Sequence, residues 1–148
     1  MTTNKDKADL IYNELIETAK KLAWEEHSGN FAWTEELLEK YKDKVDWSEV
    51  SRNCQMQWTN TMLEKFKHLL DWKELSQVIS DVELLDKFID RWDWGGIINS
   101  HYLTRHFNKE FLNKYIDHIP MIDIANTTLW RTLLVEEVKR IEHQINYR

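Results

Sequence analysis

Residues 33–51 read WTEELLEKYKDKVDWSEVS, and residues 58–76 read WTNTMLEKFKHLLDWKELS. The two stretches align without a gap, and 10 of their 19 positions are identical. Unrelated sequences of ordinary composition share roughly one such position. The chain therefore contains an internal duplication, and its offset of 25 residues is typical of stacked helical units.

Two weaker copies follow in the same frame. In the third copy, residues 81–99, Asp93 and Trp94 occupy the place of the Asp-Trp pair. In the fourth copy Phe107 replaces the leading Trp, and Pro120-Met121 stands where Asp-Trp stood. We therefore predict four diverged repeats of about 22–27 residues between residues 31 and 124.

Each copy carries start signals for two helices. Thr34, Thr59 and Asn108 lie where the N-cap of a first helix belongs, just ahead of apolar pairs. Asp46 and Asp71 each precede a Trp and are followed three residues later by Glu, the reciprocal capping pattern in its Asp form. A second, short helix is therefore predicted at each Asp-Trp.

The apolar spacing predicts how these hairpins pack. Trp33, Leu37 and Tyr41 recur every four residues and form one stripe that a single hairpin cannot cover. We therefore predict a single all-α domain over residues 1–148, a right-handed stack of short helical hairpins of the α-solenoid or tetratricopeptide type. Longer capping helices are predicted at residues 8–28 and 127–147, each with an apolar face.

The segments WTEELLEKY and DWSEVSRN within residues 33–53 resemble the Trp-rich repeats that occur in arrays in uncharacterised bacterial proteins. The resemblance covers about residues 31–124 and is close in two copies and loose in the other two. It implies a helical repeat. It brings no shared activity, catalytic residue or ligand.

Composition limits the classes of partner. The net charge of −6 disfavours nucleic acid and anionic membranes, because both bind clustered Lys and Arg. The lone Cys54 excludes an internal disulfide and a Cys-based zinc cluster, and we expect it to be a small buried side chain. The polar N-terminus has no apolar stretch of signal-peptide length, so a cytoplasmic location is predicted.

The third copy departs from its own pattern and supplies the candidate site. Two glycines, Gly95 and Gly96, fall in the first turn of a predicted helix, where each costs about 1 kcal/mol relative to Ala. They mark a binding site, a close helix approach, or drift. The predicted binding surface consists of Trp92, Gly95, Gly96, His101 and Arg105. The repeat positions of the other tryptophans predict core residues at Trp33, Trp47, Trp58, Trp72 and Trp94.

No motif indicates a reaction. The histidines lack the spacing of helical zinc sites, and no phosphate loop or nucleophile elbow occurs, so we predict no metal, cofactor or enzymatic activity. The first hypothesis is a protein-protein interaction module. One alternative is an acidic inhibitor or immunity-type protein that masks a basic partner. The other is a small-ligand binder or enzyme that uses the third and fourth copies.

Overall fold

The computed structural model describes residues 1–146, which are all-helical and contain no strand. The α-helices are α1 (Asn4–Asn30), α2 (Glu35–Tyr41), α3 (Trp47–Ser51), α4 (Asn60–Phe66), α5 (Trp72–Val78), α6 (Trp94–Asn99), α7 (Lys109–Tyr115) and α8 (Thr128–Asn146). Short 3-10 turns lie at Val82–Leu84, Thr104–His106 and Ile124–Asn126. The all-α prediction is confirmed.

The chain forms two compact units, one ending at Gln57 and the other beginning at Trp58. In the first unit α1 packs against α3. In the second unit α5 packs against α6, while α8 packs against α6 and the 3-10 turns at 104–106 and 124–126.

The predicted N-caps are confirmed. The hydroxyls of Thr34 and Thr59 each accept a hydrogen bond from the amide three residues ahead, and Asn108 caps α7 in the same way. The carboxylates of Asp46 and Asp71 accept from the amides of the Glu residues that follow, at 3.2 Å in both copies. These caps set where each short helix begins.

The tryptophan of each Asp-Trp pair has a second role at the helix that precedes it. The indole N–H groups of Trp47 and Trp72 donate to the carbonyls of Lys42 and Lys67, at 2.9 Å in both cases. These two lysines are the C-caps of α2 and α4, whose terminal carbonyls have no partner within the helix. The indole therefore ties the two helices of one hairpin together.

This role corrects part of the core prediction. Trp33, Trp58 and Trp94 are buried as expected, with 5–8% of their surface exposed. Trp47 and Trp72 are only half-buried. The indole of Trp94 donates in the same way to the carbonyl of Ile89, at 2.9 Å, and is buried.

A serine-to-aspartate contact joins neighbouring elements within each unit. The amide of Asp46 donates to the buried hydroxyl of Ser28 at 3.0 Å, and the amide of Asp93 donates to the buried hydroxyl of Ser76 at 2.9 Å. The capping pattern also predicts a return bond from the amide of Asp46 to the side chain of Glu49. This prediction is wrong, because the Asp46 amide donates to Ser28 on α1 instead. The contacts fix the start of α3 against α1 and the start of α6 against α5.

Two copies lack one of their predicted helices. In the third copy the first helix is replaced by the 3-10 turn Val82–Leu84, because Asp81 accepts from the amide only two residues ahead. In the fourth copy the second helix is reduced to the 3-10 turn Ile124–Asn126, which follows Pro120 and a left-handed Asp123 with φ 57°. Pro has no amide to donate, and an αL residue interrupts a right-handed helix.

The terminal helices pack at one end only. Helix α1 extends beyond the predicted residues 8–28. Helix α8 begins at Thr128, one residue after the predicted start at 127, and the predicted end at Tyr147 lies outside the described residues. Residues 1–23 and 134–146 are all exposed, so the expected apolar capping faces are not covered there. Over residues 1–146 no helix has the length and apolar character needed to span a bilayer.

Candidate functional site

An apolar groove of about 330 Å³ lies between α7 and α8, in the fourth copy. Its walls present only apolar surface to the groove. They are formed by Leu112, Ile116, Met121, Ile124, Leu129, Trp130, Leu133 and Leu134. The groove leaves an apolar surface uncovered within the second unit.

The missing second helix of the fourth copy explains the groove. In the first two copies this helix carries Val50 or Leu75, both fully buried. In the fourth copy the corresponding Ile124 is only half-buried and sits in a single 3-10 turn. Ile116 and Met121 are 44% and 64% exposed.

The chemistry of the groove is restricted to apolar contact. No titratable side chain lines it, so it offers neither a general acid nor a general base. An exposed apolar surface of this kind is typical of a contact site on a folded domain. The groove is suited to apolar side chains presented by a ligand or partner.

The sequence-predicted surface is only partly assembled. Gly95, Gly96 and His101 line one cleft of about 380 Å³. Five further residues complete it: Gln77, Asp93, Asn99, Ser100 and Tyr102. Unlike the groove, this cleft is bordered by carboxylate, amide, hydroxyl and imidazole groups.

The other two predicted residues lie elsewhere. Trp92 is buried, donates its indole N–H to the carbonyl of Leu85 at 3.2 Å, and meets the ring of Trp72 edge-on at 5.0 Å. It occupies a core position, as do Val45, Leu70 and Ile119 in the same slot of the other copies. Arg105 lines a separate cleft of about 640 Å³ and donates from Nε to His106 Nε2 at 3.2 Å.

Gly96 has a packing explanation. A Cβ at this position would lie 3.3 Å from Ser76 Cβ and 3.6 Å from Gln77 Cγ, so α5 and α6 approach closely here. In the equivalent contact of the first unit, between α1 and α3, the small and the large residue are exchanged. The glycine is Gly29, which follows Ser28 on α1, and a Cβ there would lie 2.9 Å from Glu49 Oε2 on α3. One partner of each contact is therefore a glycine, Gly29 against Glu49 and Gly96 against Gln77.

Gly95 lacks such a neighbour. A Cβ there would meet only Asp93 Oδ1, at 3.4 Å, which is close to an ordinary contact. Asp93 is the N-cap of α6, and its carboxylate makes no capping hydrogen bond. Packing therefore accounts for Gly96 but does not account for Gly95.

A charged cluster links the third and fourth copies. Asp86 accepts from the Tyr115 hydroxyl at 2.7 Å and from Lys114 Nζ at 3.0 Å. The hydrogen bond from Tyr115, followed by that from Lys114, lowers the pKa of Asp86. Burial, reinforced by Asp86, raises the pKa of the Tyr115 hydroxyl, and the bond to Asp86 raises the pKa of Lys114. The cluster holds α7 against the segment that contains Asp86.

Cys54 is exposed, so its expected burial is wrong. Its side chain lies just after α3, in a segment held by Asn53, whose amide donates to the carbonyls of Ser28 and Phe31. Asn53 is the buried residue at this point, and the adjacent thiol faces outwards. Within residues 1–146, no three His, Cys, Asp or Glu side chains come together as metal ligands do.

No family model matches this sequence, and no curated protein or solved structure matches it either. The candidate site therefore rests on the geometry of the chain itself.

Proposed function

We propose that this protein is a non-enzymatic interaction module that binds a protein partner through the apolar groove of its fourth repeat. The module is a tetratricopeptide-like, right-handed stack of Trp-rich helical hairpins, with a longer helix at each end. The contacts of α1 with α3 and of α5 with α6 support this arrangement inside each unit. The single observation that carries the function is the groove that the shortened fourth copy leaves open.

The lining of the groove favours an amphipathic helix as the ligand. Pockets for small metabolites place a few polar groups among apolar ones to fix the orientation of the ligand. This groove presents none. An apolar helix face laid into a groove is a common mode of peptide recognition and needs no polar contact at its centre.

The test is site-specific photo-crosslinking in the cell of origin, with a photoreactive amino acid at Met121. The matched control carries the same amino acid at Ile122, which is more exposed, at 86%, but does not line the groove. We expect one defined protein adduct from position 121, which Leu134→Glu in the groove abolishes. Equal yields from both positions, or an adduct that survives Leu134→Glu, would refute the proposal.

A second candidate function is favoured by the polar cleft beside α6. Gly95 lines this cleft and has no packing role, and His101, Asn99 and Asp93 border the same space. A small polar ligand bound there would raise the melting temperature, because it binds the folded state alone. A metabolite library that stabilises the native chain but not Gly95→Leu supports this function; equal stabilisation of both chains contradicts it.

A further inference from the structure

The C-terminal part of α8 carries an apolar seam with no partner. Every residue from 134 to 146 is exposed, yet Leu134, Val138, Ile141 and Ile145 follow one another at spacings of four, three and four. This spacing is that of the core positions in a two-stranded coiled coil. A free helix of about this length is marginal in water, because helices in proteins are stabilised mainly by packing.

We infer that this seam binds the same seam of a second copy of the chain, with the two helices antiparallel. The inference rests on the proposed interaction function and names one partner for it. We place the two-fold axis of the pair between Lys139 and Arg140. In this register Leu134 of one copy faces Ile145 of the other. Val138 likewise faces Ile141, and the two-fold symmetry repeats each pair.

The charges beside the seam favour this orientation. In the antiparallel register Glu137 lies beside Gln144 of the second copy, and Val135 lies beside Glu142. A parallel pair would instead place Glu137 beside Glu142 of the second copy at each edge, where like charges repel. The antiparallel pair therefore covers the apolar residues without opposing two carboxylates.

The groove lies at the end of the same seam. Leu134 lines the groove and is also the first position of the seam. Ile145 of the second copy, which faces Leu134, therefore lies at the edge of the groove. The paired helices and the groove would form one continuous interface.

Helix α1 offers a poorer seam of its own. At the same spacing its positions are Ala8, Ile11, Leu15, Thr18, Leu22 and Glu25, so small, polar and charged residues interrupt the apolar row. The four seam positions of α8 are all aliphatic and mostly β-branched. This difference selects α8 rather than α1 for self-association.

The first experiment measures the mass of the purified full chain by sedimentation equilibrium from micromolar to submillimolar concentrations. We expect a monomer–dimer equilibrium between 18.0 kDa and twice that mass. Val138→Lys and Ile141→Lys, both at exposed positions, should weaken dimerisation at least tenfold, with circular dichroism confirming an intact fold. Leu15→Lys on α1 is the matched control and should leave the dimer unchanged. A dimer that is lost in Leu15→Lys and kept in Ile141→Lys would overturn the inference.

The second experiment tests the orientation in a Cys54→Ser background. Leu134→Cys and Ile145→Cys are oxidised separately and as an equimolar mixture of differently tagged chains. The antiparallel pair gives the mixed disulfide and little homodimer, because equivalent residues at position 134 are about 16 Å apart along the helices. Homodimers of Leu134→Cys alone would indicate a parallel pair and would refute the inference.

The two proposals fail separately. A chain that stays monomeric at every concentration, but still gives the adduct from position 121, refutes self-association and leaves the interaction function standing. A dimer that Ile141→Lys dissociates, together with no adduct from position 121, refutes binding of a partner in the groove and leaves self-association standing.

Discussion

The short helices of the repeats and the long helices at the chain ends are stabilised in different ways. Helix α5 has only seven residues, yet its Leu75 and Ser76 are fully buried and its first turn is capped by Asp71. Helix α8 has 19 residues, of which Leu129 is the only buried one. The comparison teaches that caps and neighbours hold the repeat helices, whereas the outer parts of the terminal helices have regular backbone hydrogen bonds but no core.

The largest expected effect compares one leucine from each region. Leu75→Ala should lower the free energy of unfolding by about 2–5 kcal/mol, because it leaves a cavity in a closed core. Leu15→Ala on α1, where the side chain is 56% exposed, should change it by less than about 0.5 kcal/mol. Urea unfolding of both variants checks this difference, and equal losses would break the comparison.

The next effect concerns the tyrosine that binds Asp86. Tyr115→Phe removes the hydrogen bond to the carboxylate and should cost about 1 kcal/mol at pH 7, which is below the usual range for charged partners because Asp86 is largely exposed. Tyr12→Phe, at an exposed position of α1, is the matched control and should cost nothing measurable.

The pH dependence of the same variant follows from the sign of the Asp86 shift. The pKa of Asp86 is lowered in the folded state, so the carboxylate stabilises the fold above its ordinary pKa of 3.8, and this stabilisation is lost as the pH falls through the lowered value. Wild type and Tyr115→Phe should therefore differ most above pH 4 and approach each other in stronger acid. A difference that stays constant from pH 7 to pH 2 would contradict the assignment.

A smaller effect sharpens the comparison inside the repeats themselves. The indole N–H of buried Trp33 donates to the Ser28 carbonyl at 3.2 Å, whereas that of buried Trp58 has no partner among the described residues. Trp33→Phe should therefore cost about 1 kcal/mol more than Trp58→Phe, because only the first loses a hydrogen bond. Thermal unfolding of the two variants measures the difference; the reverse order would refute it.

The smallest effect separates the two glycines of α6. Gly95→Ala should stabilise the protein by about 0.5–1 kcal/mol, since alanine favours the helix and its Cβ has room. Gly96→Ala should gain less or lose stability, because its Cβ would lie 3.3 Å from Ser76 Cβ. Differential scanning calorimetry checks the order, and an equal gain at both positions would remove the packing explanation for Gly96.

The sequence predicts what depends on neighbouring residues. The caps at Thr34, Thr59 and Asn108 follow from residue types within one turn, so they and the helix type were predictable. The burial of the apolar faces of α1 and α8 depends on segments far along the chain. For that reason the exposure of these faces, like that of Cys54, did not follow from periodicity.

The candidate site was only partly predictable for the same reason. Gly95, Gly96 and His101 line one cleft as neighbours in sequence, whereas Trp92 points into the core, as its slot in the other copies indicates. The apolar groove was missed, although its signal was visible: Pro120-Met121 replaces the Asp-Trp pair that begins the second helix elsewhere. That substitution predicts a lost helix, and a lost helix uncovers the residues it would have packed on.

The exchange between Gly29·Glu49 and Gln77·Gly96 has a consequence for engineering this scaffold. Transplanting α6 behind a serine-glycine pair would leave two glycines facing each other and a void, while transplanting α3 behind Ser76-Gln77 would bring two long side chains into collision. A consensus repeat designed by choosing the commonest residue at each repeat position separately would mix these two arrangements. The two positions are sterically matched, and a designer who extends the array must choose them together.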